Sequence, residues 1–309
     1  MKEDFMISEA MLETFRSMVP QENIHLKEPM SLHTTFRVGG EADCLIELED
    51  AKQLARIKKY LEMVEYPYTV VGNGSNLLVS DKGYRGVILQ IGRKMSRIQV
   101  EGNVITAQAG ALMSQVAAAA LEHELTGMEF ASGIPGTVGG GVVMNAGAYG
   151  GELAQVATEV HVLDRFGEEL VLDNETMEFG YRSSTIRKKP FVVTEVSFRL
   201  VPGDAKAIKE RMDELAVQRR SKQPLEYASA GSTFKRPEGF FAGALIMEAG
   251  LRGFSIGGAQ VSEKHCGFII NTGTATASDI MDVIIEVQKQ VKDRFHVDLE
   301  PEVVFLGEF

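Results

Sequence analysis

Glycine is concentrated in three short segments of this chain, and that clustering constrains the fold more than any other feature. The 31 glycines among 309 residues are about 10%, against an average usage of about 7%. They collect at 38–40, at 72–76 and at 133–151, where GIPGTVGGGVVMNAGAYGG holds eight glycines in nineteen residues. Ordering so flexible a loop costs conformational entropy. We therefore expect its backbone to lie against a ligand or, alternatively, against a closely packed crossing strand.

The segment GNGSN at 72–76 follows a predicted strand, as the fingerprint of a dinucleotide-binding site would. The comparison fails, because Leu77 stands where the third glycine belongs and Leu77–Val79 continues as a strand instead of opening a helix. Two interpretations stay open: a tight Asn-Gly turn, and a nest of backbone N–H groups that binds a phosphate. No Gly-Lys-Ser/Thr sequence is present, which excludes a P-loop nucleotidase.

Strands and helices alternate along the chain, beginning with a small βαβ unit. Strands are predicted at 42–48, 68–71, 77–79, 87–91, 103–107, 159–163, 169–172 and 191–200. Helices are predicted at 50–63, at 112–124, from Asp204 onward and at 278–294. The turn at 201–203, a Val-Pro-Gly sequence, is the predicted domain boundary.

Charge and cysteine usage narrow the class of protein. With 32 Lys+Arg against 43 Asp+Glu the net charge is −11, which argues against nucleic acid or an anionic membrane as a partner. Cys44 and Cys266 form no CxxC pair, and the adjacent His265 and Cys266 lack a third ligand, so we expect no disulfide, no metal and a cytoplasmic location. Acidic residues interrupt the first twenty positions, which argues against a signal peptide. No apolar stretch approaches the roughly 18 residues of a membrane helix, so we expect no membrane span.

Three polar residues in distant segments are candidates for chemistry. The guanidinium of Arg182, in YRSS, suits a carboxylate, although a lone arginine is more often part of a surface ion pair. Ser232, in AGSTFKRP, is either a proton donor or a turn serine, and no G-x-S-x-G elbow surrounds it. Glu302, in LEPEVVF, is either a carboxyl group in an apolar setting with a raised pKa or a solvated residue at the start of a strand.

Taken together, these segments resemble the UDP-N-acetylenolpyruvoylglucosamine reductases, a family of flavoenzymes. The resemblance runs in order through TTFRVGG at 34–40, VVGNGSNLLVSD at 70–81, GIPGTVGGGVVMNAGAYGGE at 133–152, YRSS at 181–184, AGSTFKRP at 230–237, EKHCGFIIN at 263–271 and LEPEVVFLG at 299–307. It covers nearly the whole chain. The strand at 191–200 leads directly into the helix from Asp204, so the chain resembles the shorter subclass, which lacks a tyrosine-bearing loop.

The resemblance implies a fold and a division into domains. The implied fold class is α+β, with a vanillyl-alcohol-oxidase-type (PCMH-type) FAD-binding region of two α/β subdomains followed by a C-terminal α+β substrate domain. We expect an N-terminal helical segment at 1–30, the FAD-binding region at 31–202 with a division near residue 85, and the substrate domain at 203–309.

The resemblance also implies a reaction and a set of site residues. NADPH would reduce non-covalently bound FAD, and the enolpyruvyl group of a nucleotide-sugar would then be reduced to give UDP-N-acetylmuramate. Arg182 and Glu302 match residues that stabilise the enol or enolate, Ser232 matches the proton donor, and Tyr181 and Lys222 match substrate contacts. The implied FAD contacts are Gly72, Asn73, Gly74, Ser75, Asn76, Leu77, Gly133, Ile134, Pro135, Gly136, Gly139, Gly140, Asn145, Gly147 and Ala148.

Two other functions remain open from the sequence. One is an oxidase of the same fold that carries its flavin covalently, and the other is a nucleotide-sugar binding protein without catalysis. The combination of YRSS, AGSTFKRP and LEPEV favours the reductase. The oligomeric state is not indicated by any pattern.

Overall fold

The computed structural model describes residues 7–309 and divides into two compact units. Each unit has its own hydrophobic core. The first unit contains the chain up to Leu26, Asp43–Asn73 and Gly86–Gln218, and the second contains Lys27–Ala42, Gly74–Arg85 and Arg219–Phe309. The chain therefore passes between the units several times.

Helices and strands alternate as the sequence predicts. The α-helices are α1 (Glu9–Arg16), α2 (Ala51–Met63), α3 (Met113–Glu122), α4 (Val138–Val143), α5 (Ala205–Lys222), α6 (Ala242–Glu248) and α7 (Ala277–Phe295). The strands are β1 (Ile24–Pro29), β2 (Glu41–Glu47), β3 (Tyr68–Val71), β4 (Leu77–Val79), β5 (Tyr84–Gln90), β6 (Ile98–Glu101), β7 (Val104–Gln108), β8 (Leu125–Thr126), β9 (Gly147–Ala148), β10 (Gly151–Glu152), β11 (Ala157–Leu163), β12 (Glu169–Asp173), β13 (Val192–Arg199), β14 (Val201–Pro202), β15 (Ser255–Ile256), β16 (Ala259–Val261), β17 (Ile269–Asn271) and β18 (Val304–Leu306).

Two sheets organise the first unit. One has the strand order β1-β2-β5-β3, with β3 and β5 parallel. The other is antiparallel throughout, in the order β12-β11-β13-β7-β6. Between β2 and β3, α2 begins after Asp50, whose carboxylate accepts the N–H of Gln53 at 2.7 Å and so caps the helix. Its apolar face buries Leu54, Ile57 and Leu61 in the core, as the 3.6-residue spacing predicts.

The second unit is built around α7. The helix buries Ile280, Val283, Ile284, Val287 and Val291 on one face, the face that the sequence predicts. The antiparallel strands β15, β16 and β17 form a small sheet in the same unit, and β4 pairs with β18 in parallel. Because β4 belongs to a segment far from β18 in sequence, this pairing is what brings residues 74–85 into the second unit.

The observed division differs from the predicted boundary at residue 202. The turn at 201–203 is not a linker, because β14 pairs with β8 and Gly203 lies against Thr126 and Ile208. The division falls later, inside α5, between Gln218 and Arg219. The predicted division near 85 does coincide with a crossing, at Arg85 and Gly86, but Gly74–Arg85 belongs with the C-terminal part of the chain.

The predicted N-terminal helical segment at 1–30 is only partly helical. Within the described residues α1 ends at Arg16, a short 3₁₀ turn follows, and the chain is extended from Ile24. Pro20 lies between helix and strand and is consistent with a break there. Residues 1–6 of that segment lie outside the described residues.

Candidate functional site

In the first unit, the two predicted FAD-binding segments lie against each other. We call residues 72–77 the first glycine segment and residues 133–151 the second glycine segment. A Cβ on Gly72 would overlap the hydroxyl of Thr137, and the side-chain amide of Asn73 donates to the carbonyl oxygen of Pro135 at 2.7 Å. Only glycine permits this approach at position 72. Two segments predicted separately as phosphate and flavin contacts are therefore neighbours.

The glycines of α4 differ in what surrounds them. Thr137 caps this helix, and Gly139 and Gly141 are packed: a Cβ would lie 3.0 Å from Ala109 Cβ at the first and 3.1 Å from Met113 Sδ at the second. Gly140 is exposed, and a Cβ there would meet nothing closer than 3.5 Å. Close packing, the alternative raised by the sequence, therefore explains Gly139 and Gly141. It does not explain Gly140, which leaves open backbone of the kind that a flat ligand can lie against.

Arg182 lies at the tip of a tight turn in the first unit. Gly180 and Ser183 exchange backbone hydrogen bonds of 3.0 and 3.2 Å, which leaves Tyr181 and Arg182 as the two central residues. Arg182 has φ +51°, and its guanidinium lies 5.3 Å from the centre of the Tyr181 ring. Tyr181 is 57% exposed. The turn therefore presents a cation and an aromatic ring together.

Asn145 holds this turn to the second glycine segment. The side chain is buried, donates to the carbonyl oxygen of Gly180 at 3.2 Å and accepts the N–H of Ala154 at 2.9 Å. The buried hydroxyl of Ser184 adds a bond to the carbonyl oxygen of Val143 at 3.0 Å. The amide predicted to contact FAD thus also orients the turn that carries Arg182.

In the second unit, the remainder of the first glycine segment contacts Glu302, and Glu302 contacts the residue that follows Ser232. The side-chain amide of Asn76 donates to the carbonyl oxygen of Glu302 at 3.1 Å, and the N–H of Glu302 donates to the carbonyl oxygen of Thr233 at 2.8 Å. Thr233 is fully buried and directly follows Ser232, which is exposed. Hydrogen bonds therefore connect a predicted FAD segment, the predicted acid and the residue next to the predicted proton donor.

Gly74 has φ +59°, and a Cβ there would overlap the carbonyl oxygen of His33. Its own carbonyl oxygen accepts the N–H of Thr35 at 3.3 Å. Position 74 therefore requires glycine both for its backbone conformation and for lack of space.

The other predicted site residues occupy varied positions. Leu77 begins β4 and pairs with Val304. Gly147 and Ala148 form β9, paired with β10. Gly133 ends a 3₁₀ turn, Ile134 is half-buried, and the carbonyl oxygen of Gly136 accepts the N–H of Met113 at 3.0 Å. Ser75 is half-buried in its loop. Lys222 is exposed at the last residue of α5.

The structure adds residues that the sequence did not single out for the site. Thr233 accepts the N–H of Ile269 at 3.1 Å through its hydroxyl, in addition to its bond with Glu302. Asp81 accepts the N–H groups of Ala277 and Ser278 at 2.8 and 2.9 Å, and so caps α7 from the end of the β4 segment. Both lie inside motifs that carry the family resemblance, which is the signal that would have found them.

Among the side chains outside the two glycine segments, burial shifts the pKa of Cys44, Cys266 and His265. Burial raises the pKa of the Cys44 thiol to about 12, with Asp43 adding to the shift, and burial also raises the pKa of Cys266. Both cysteines are free and buried. Burial lowers the pKa of His265. Over residues 7–309, no cluster of three or more His, Cys, Asp or Glu side chains is arranged to hold a metal ion.

Comparison with known proteins identifies the class. Residues 42–173 match the model of an FAD binding domain, and residues 223–306 match the model described as UDP-N-acetylenolpyruvoylglucosamine reductase, C-terminal domain. The chain is therefore an FAD-dependent oxidoreductase in which a flavin-binding region precedes a reductase-specific domain. In the part of the chain that the structure describes, no helix combines the length and the apolar character needed to cross a membrane.

Relatives over the whole length identify the family. A UDP-N-acetylenolpyruvoylglucosamine reductase of Caldanaerobacter subterraneus is 48% identical over 98% of this chain and 100% of its own length. One of Clostridium perfringens is 52% identical over 93% of this chain and 94% of its own. The crystal structure of the Thermus caldophilus reductase superposes with a TM-score of 0.79 at 34% identity, over 92% of this chain and 98% of that one.

This chain belongs to the UDP-N-acetylenolpyruvoylglucosamine reductase family. The predicted family, the α+β fold with an FAD-binding region, and FAD as cofactor are thereby confirmed. The direct passage from β13 through β14 into α5 agrees with the predicted absence of a long loop at that point.

Proposed function

We propose that this protein catalyses the NADPH-dependent reduction of UDP-N-acetylglucosamine enolpyruvate to UDP-N-acetylmuramate, a step of peptidoglycan precursor synthesis, in the cytoplasm. Family membership over nearly the full length supports the reaction. The observation that carries the assignment of residues is the hydrogen-bonded connection from Asn76 through Glu302 to Thr233, next to Ser232. It links a residue of the proposed cofactor segment, the proposed acid and the residue next to the proposed proton donor.

The residues of the two glycine segments fit FAD. Gly140 leaves its backbone open to a flat ring or to phosphate oxygens, and glycine at position 72 lets the first glycine segment approach Thr137 of the second. Gly72–Leu77 would hold the pyrophosphate, and Gly133–Ala148 would line the flavin. When bound, FAD supplies the chemistry of accepting a hydride from NADPH and giving it to the enolpyruvyl double bond.

Three side chains complete the reduction of the double bond. Addition of hydride to one carbon leaves negative charge on the other, conjugated with the substrate carboxylate. The guanidinium of Arg182 stays protonated and attracts that carboxylate and the enolate oxygen. Glu302, as a neutral acid, donates a hydrogen bond to the same charge. The hydroxyl of Ser232 gives its proton to the remaining carbon, so one hydride and one proton saturate the bond.

Substrate recognition involves Tyr181 and Lys222. Tyr181 is exposed beside Arg182 in the tight turn, where its ring and hydroxyl are accessible to a nucleotide-sugar. Lys222, exposed at the end of α5, offers a cation to a phosphate. The region 203–309 is the substrate-binding part of the chain in this proposal.

An anaerobic absorption experiment tests the reaction. The flavin bands of the purified protein should bleach on addition of NADPH and return on addition of the enolpyruvyl nucleotide-sugar, with UDP-N-acetylmuramate identified by mass. Flavin that stays with the protein after acid precipitation would indicate the covalent oxidase instead. A protein that cannot be reconstituted with FAD would refute the proposal.

The Ser232→Ala variant separates the proton step from the hydride step. NADPH should still bleach the flavin, while the return of the bands and product formation should be abolished. Ser255→Ala is the matched control, because Ser255 is an exposed serine of the same unit on β15, outside the candidate site. Full turnover by Ser232→Ala would refute its role as proton donor.

A further inference from the structure

We propose that Asn76 is a positioning residue for Glu302, so that the segment that binds the FAD pyrophosphate also sets the direction of the acid. This inference rests on the proposed function, because it assigns Asn76 a task within that reaction. It adds a role to a residue for which the sequence suggested only cofactor contact.

The argument begins with the backbone of Glu302. The N–H of Glu302 donates to the carbonyl oxygen of Thr233 at 2.8 Å, and its own carbonyl oxygen accepts the side-chain amide of Asn76 at 3.1 Å. The peptide groups on both sides of its Cα are therefore held. Because φ and ψ rotate these two groups relative to the Cα, fixing both groups fixes the direction in which the Cα–Cβ bond leaves the backbone.

Thr233 and Asn76, the two residues that hold the backbone of Glu302, differ in how they are themselves held in place. Thr233 is fully buried, its N–H donates to the carbonyl oxygen of Gly267 at 2.8 Å, and its hydroxyl accepts the N–H of Ile269 at 3.1 Å. That side is part of the folded second unit. Asn76, by contrast, lies in the loop between Gly74 and β4, which the proposed function assigns to the pyrophosphate.

Asn76 makes two hydrogen bonds with the segment that contains Glu302 and the start of β18. Besides the amide bond to Glu302, the carbonyl oxygen of Asn76 accepts the N–H of Val304 at 2.9 Å, and the parallel pairing of β4 with β18 begins at the next residue, Leu77. A bond from the backbone alone would be present with any residue at 76. Only the side-chain amide reaches the carbonyl oxygen of Glu302, so the identity of Asn76 matters for that peptide group.

The coupling has a direct consequence for the reaction. A ligand that orders Gly74–Leu77 also orders the donor that holds Glu302, so the acid is set in place when the cofactor is bound. Asn76 is itself a proposed FAD contact, so loss of its amide also bears on FAD binding and on reduction by NADPH. Because Glu302 takes no part in that half-reaction, loss of the amide should slow the half-reaction that consumes the enolpyruvyl substrate by the larger factor.

The experiment compares Asn76→Ala with Gln288→Ala at saturating FAD. Gln288 donates its side-chain amide to the carbonyl oxygen of Leu299 at 2.8 Å, so the control removes an equivalent bond to the same C-terminal segment without touching Glu302. For Asn76→Ala, with both rates measured on protein saturated with FAD, we expect the oxidative half-reaction to be slowed by about tenfold to a hundredfold more than reduction by NADPH, the range for a misplaced group. Gln288→Ala should change neither rate by more than about twofold.

A second variant and a non-kinetic measurement keep the test decisive. Asn76→Asp retains the size of the side chain but, when ionised, has no N–H to donate, and it should show the same selective loss. In the apoprotein of both Asn76 variants, hydrogen exchange of the peptide containing Glu302 and Val304 should be faster. Equal exchange together with an unchanged oxidative half-reaction would overturn the inference.

The double variant distinguishes this inference from the proposed function. In a Glu302→Gln background, Asn76→Ala should cause no further slowing, because a positioning residue acts only through the group it positions. If Glu302→Gln itself reacts at the original rate, the role of the acid in the proposed function is wrong. If Glu302→Gln is slow and Asn76→Ala slows it further, by the same factor as it slows the original protein, only the positioning role is wrong.

Discussion

Replacing Asp81 should destabilise the second unit more than the loss of an ordinary helix cap. Its carboxylate accepts three hydrogen bonds at the start of α7: from the N–H of Ala277 at 2.8 Å, and from the N–H and the hydroxyl of Ser278 at 2.9 and 2.7 Å. The helix already has its own cap, Thr276, whose hydroxyl accepts the N–H of Asp279 at 3.0 Å. Asp81 therefore adds a bond between β4 and α7 rather than simply starting the helix.

The magnitude follows from the number of bonds and their exposure. A hydrogen bond to a charged group contributes about 1.5–3 kcal/mol when well sheltered, and a carboxylate at a helix N-terminus adds about 0.3–1 kcal/mol. Asp81 is exposed, so solvent reduces each contribution. We expect Asp81→Ala to lower the free energy of unfolding by about 3 kcal/mol. Asp81→Asn, which keeps a single acceptor oxygen, should lower it by about 2 kcal/mol.

Urea unfolding followed by circular dichroism measures the loss, since the chain has no tryptophan to report by fluorescence. Asp50→Asn is the control: Asp50 accepts only the N–H of Gln53 at the start of α2, and asparagine caps a helix as well as aspartate does. Its cost should stay below about 0.5 kcal/mol. In an Asp81→Ala background, Ser278→Ala should cost nothing further. Equal costs for Asp81→Asn and Asp50→Asn would refute the reasoning.

Three further predictions concern the first unit. Burial lowers the pKa of Lys58 from 10.5, and the nearby Glu62 opposes this shift. Below pH 10.5 the unfolded chain therefore binds more protons than the folded one, and the stability of the protein rises with pH. The stability of Lys58→Met relative to the original protein, measured by urea unfolding, should fall between pH 7 and 10, and a constant difference would contradict this. Gly140→Ala should stabilise the apoprotein by about 0.5–1 kcal/mol, because alanine favours helix and its Cβ would meet nothing closer than 3.5 Å, yet it should weaken FAD binding. Gly141→Ala should lower both the stability of the apoprotein and its affinity for FAD. Thermal unfolding of the apoprotein and titration with FAD measure these effects, and unchanged affinity in Gly140→Ala would place FAD elsewhere. With a thiol pKa of about 12, Cys44 should be alkylated by iodoacetamide at pH 8 only after unfolding, and modification of the native protein would contradict its burial.

Local patterns predicted the elements well because their causes are local. The limits of α2 follow from Asp50 and the spacing of Leu54, Ile57 and Leu61, all within a dozen residues. The grouping of elements into units has causes far apart in sequence. A second cap on α7, in addition to Thr276, comes from Asp81, 196 residues before the helix, and no pattern within the helix itself predicts that contact. The division into units differs from the predicted boundary at 202 for the same reason, since the pairing of β14 with β8 connects that turn to a strand about 75 residues earlier.

The candidate site shows a related limit of sequence reasoning. Gly72 and Gly140 stand out in the sequence because glycine is dense there. In the structure Gly72 is required by the close approach of Thr137, whereas Gly140 leaves open backbone that suits a ligand. Asparagine gives no such signal, because its amide binds a ligand and a carbonyl oxygen of its own chain equally well. Asn73, Asn76 and Asn145 were all predicted as FAD contacts, and in each the side-chain amide donates to a backbone carbonyl of the protein.

Those three amides indicate how the glycine segments keep their shape. Glycine has no side chain of its own to pack, so these segments rely on close approach of neighbouring atoms, as at Gly139 and Gly141, and on hydrogen bonds for the order that binding requires. Asn73 fixes the first glycine segment to the second, Asn145 fixes the second to the turn that carries Arg182, and Asn76 fixes the peptide group of Glu302. Each bond joins a glycine segment to a segment with a proposed function, so replacing an asparagine should impair the function of its partner.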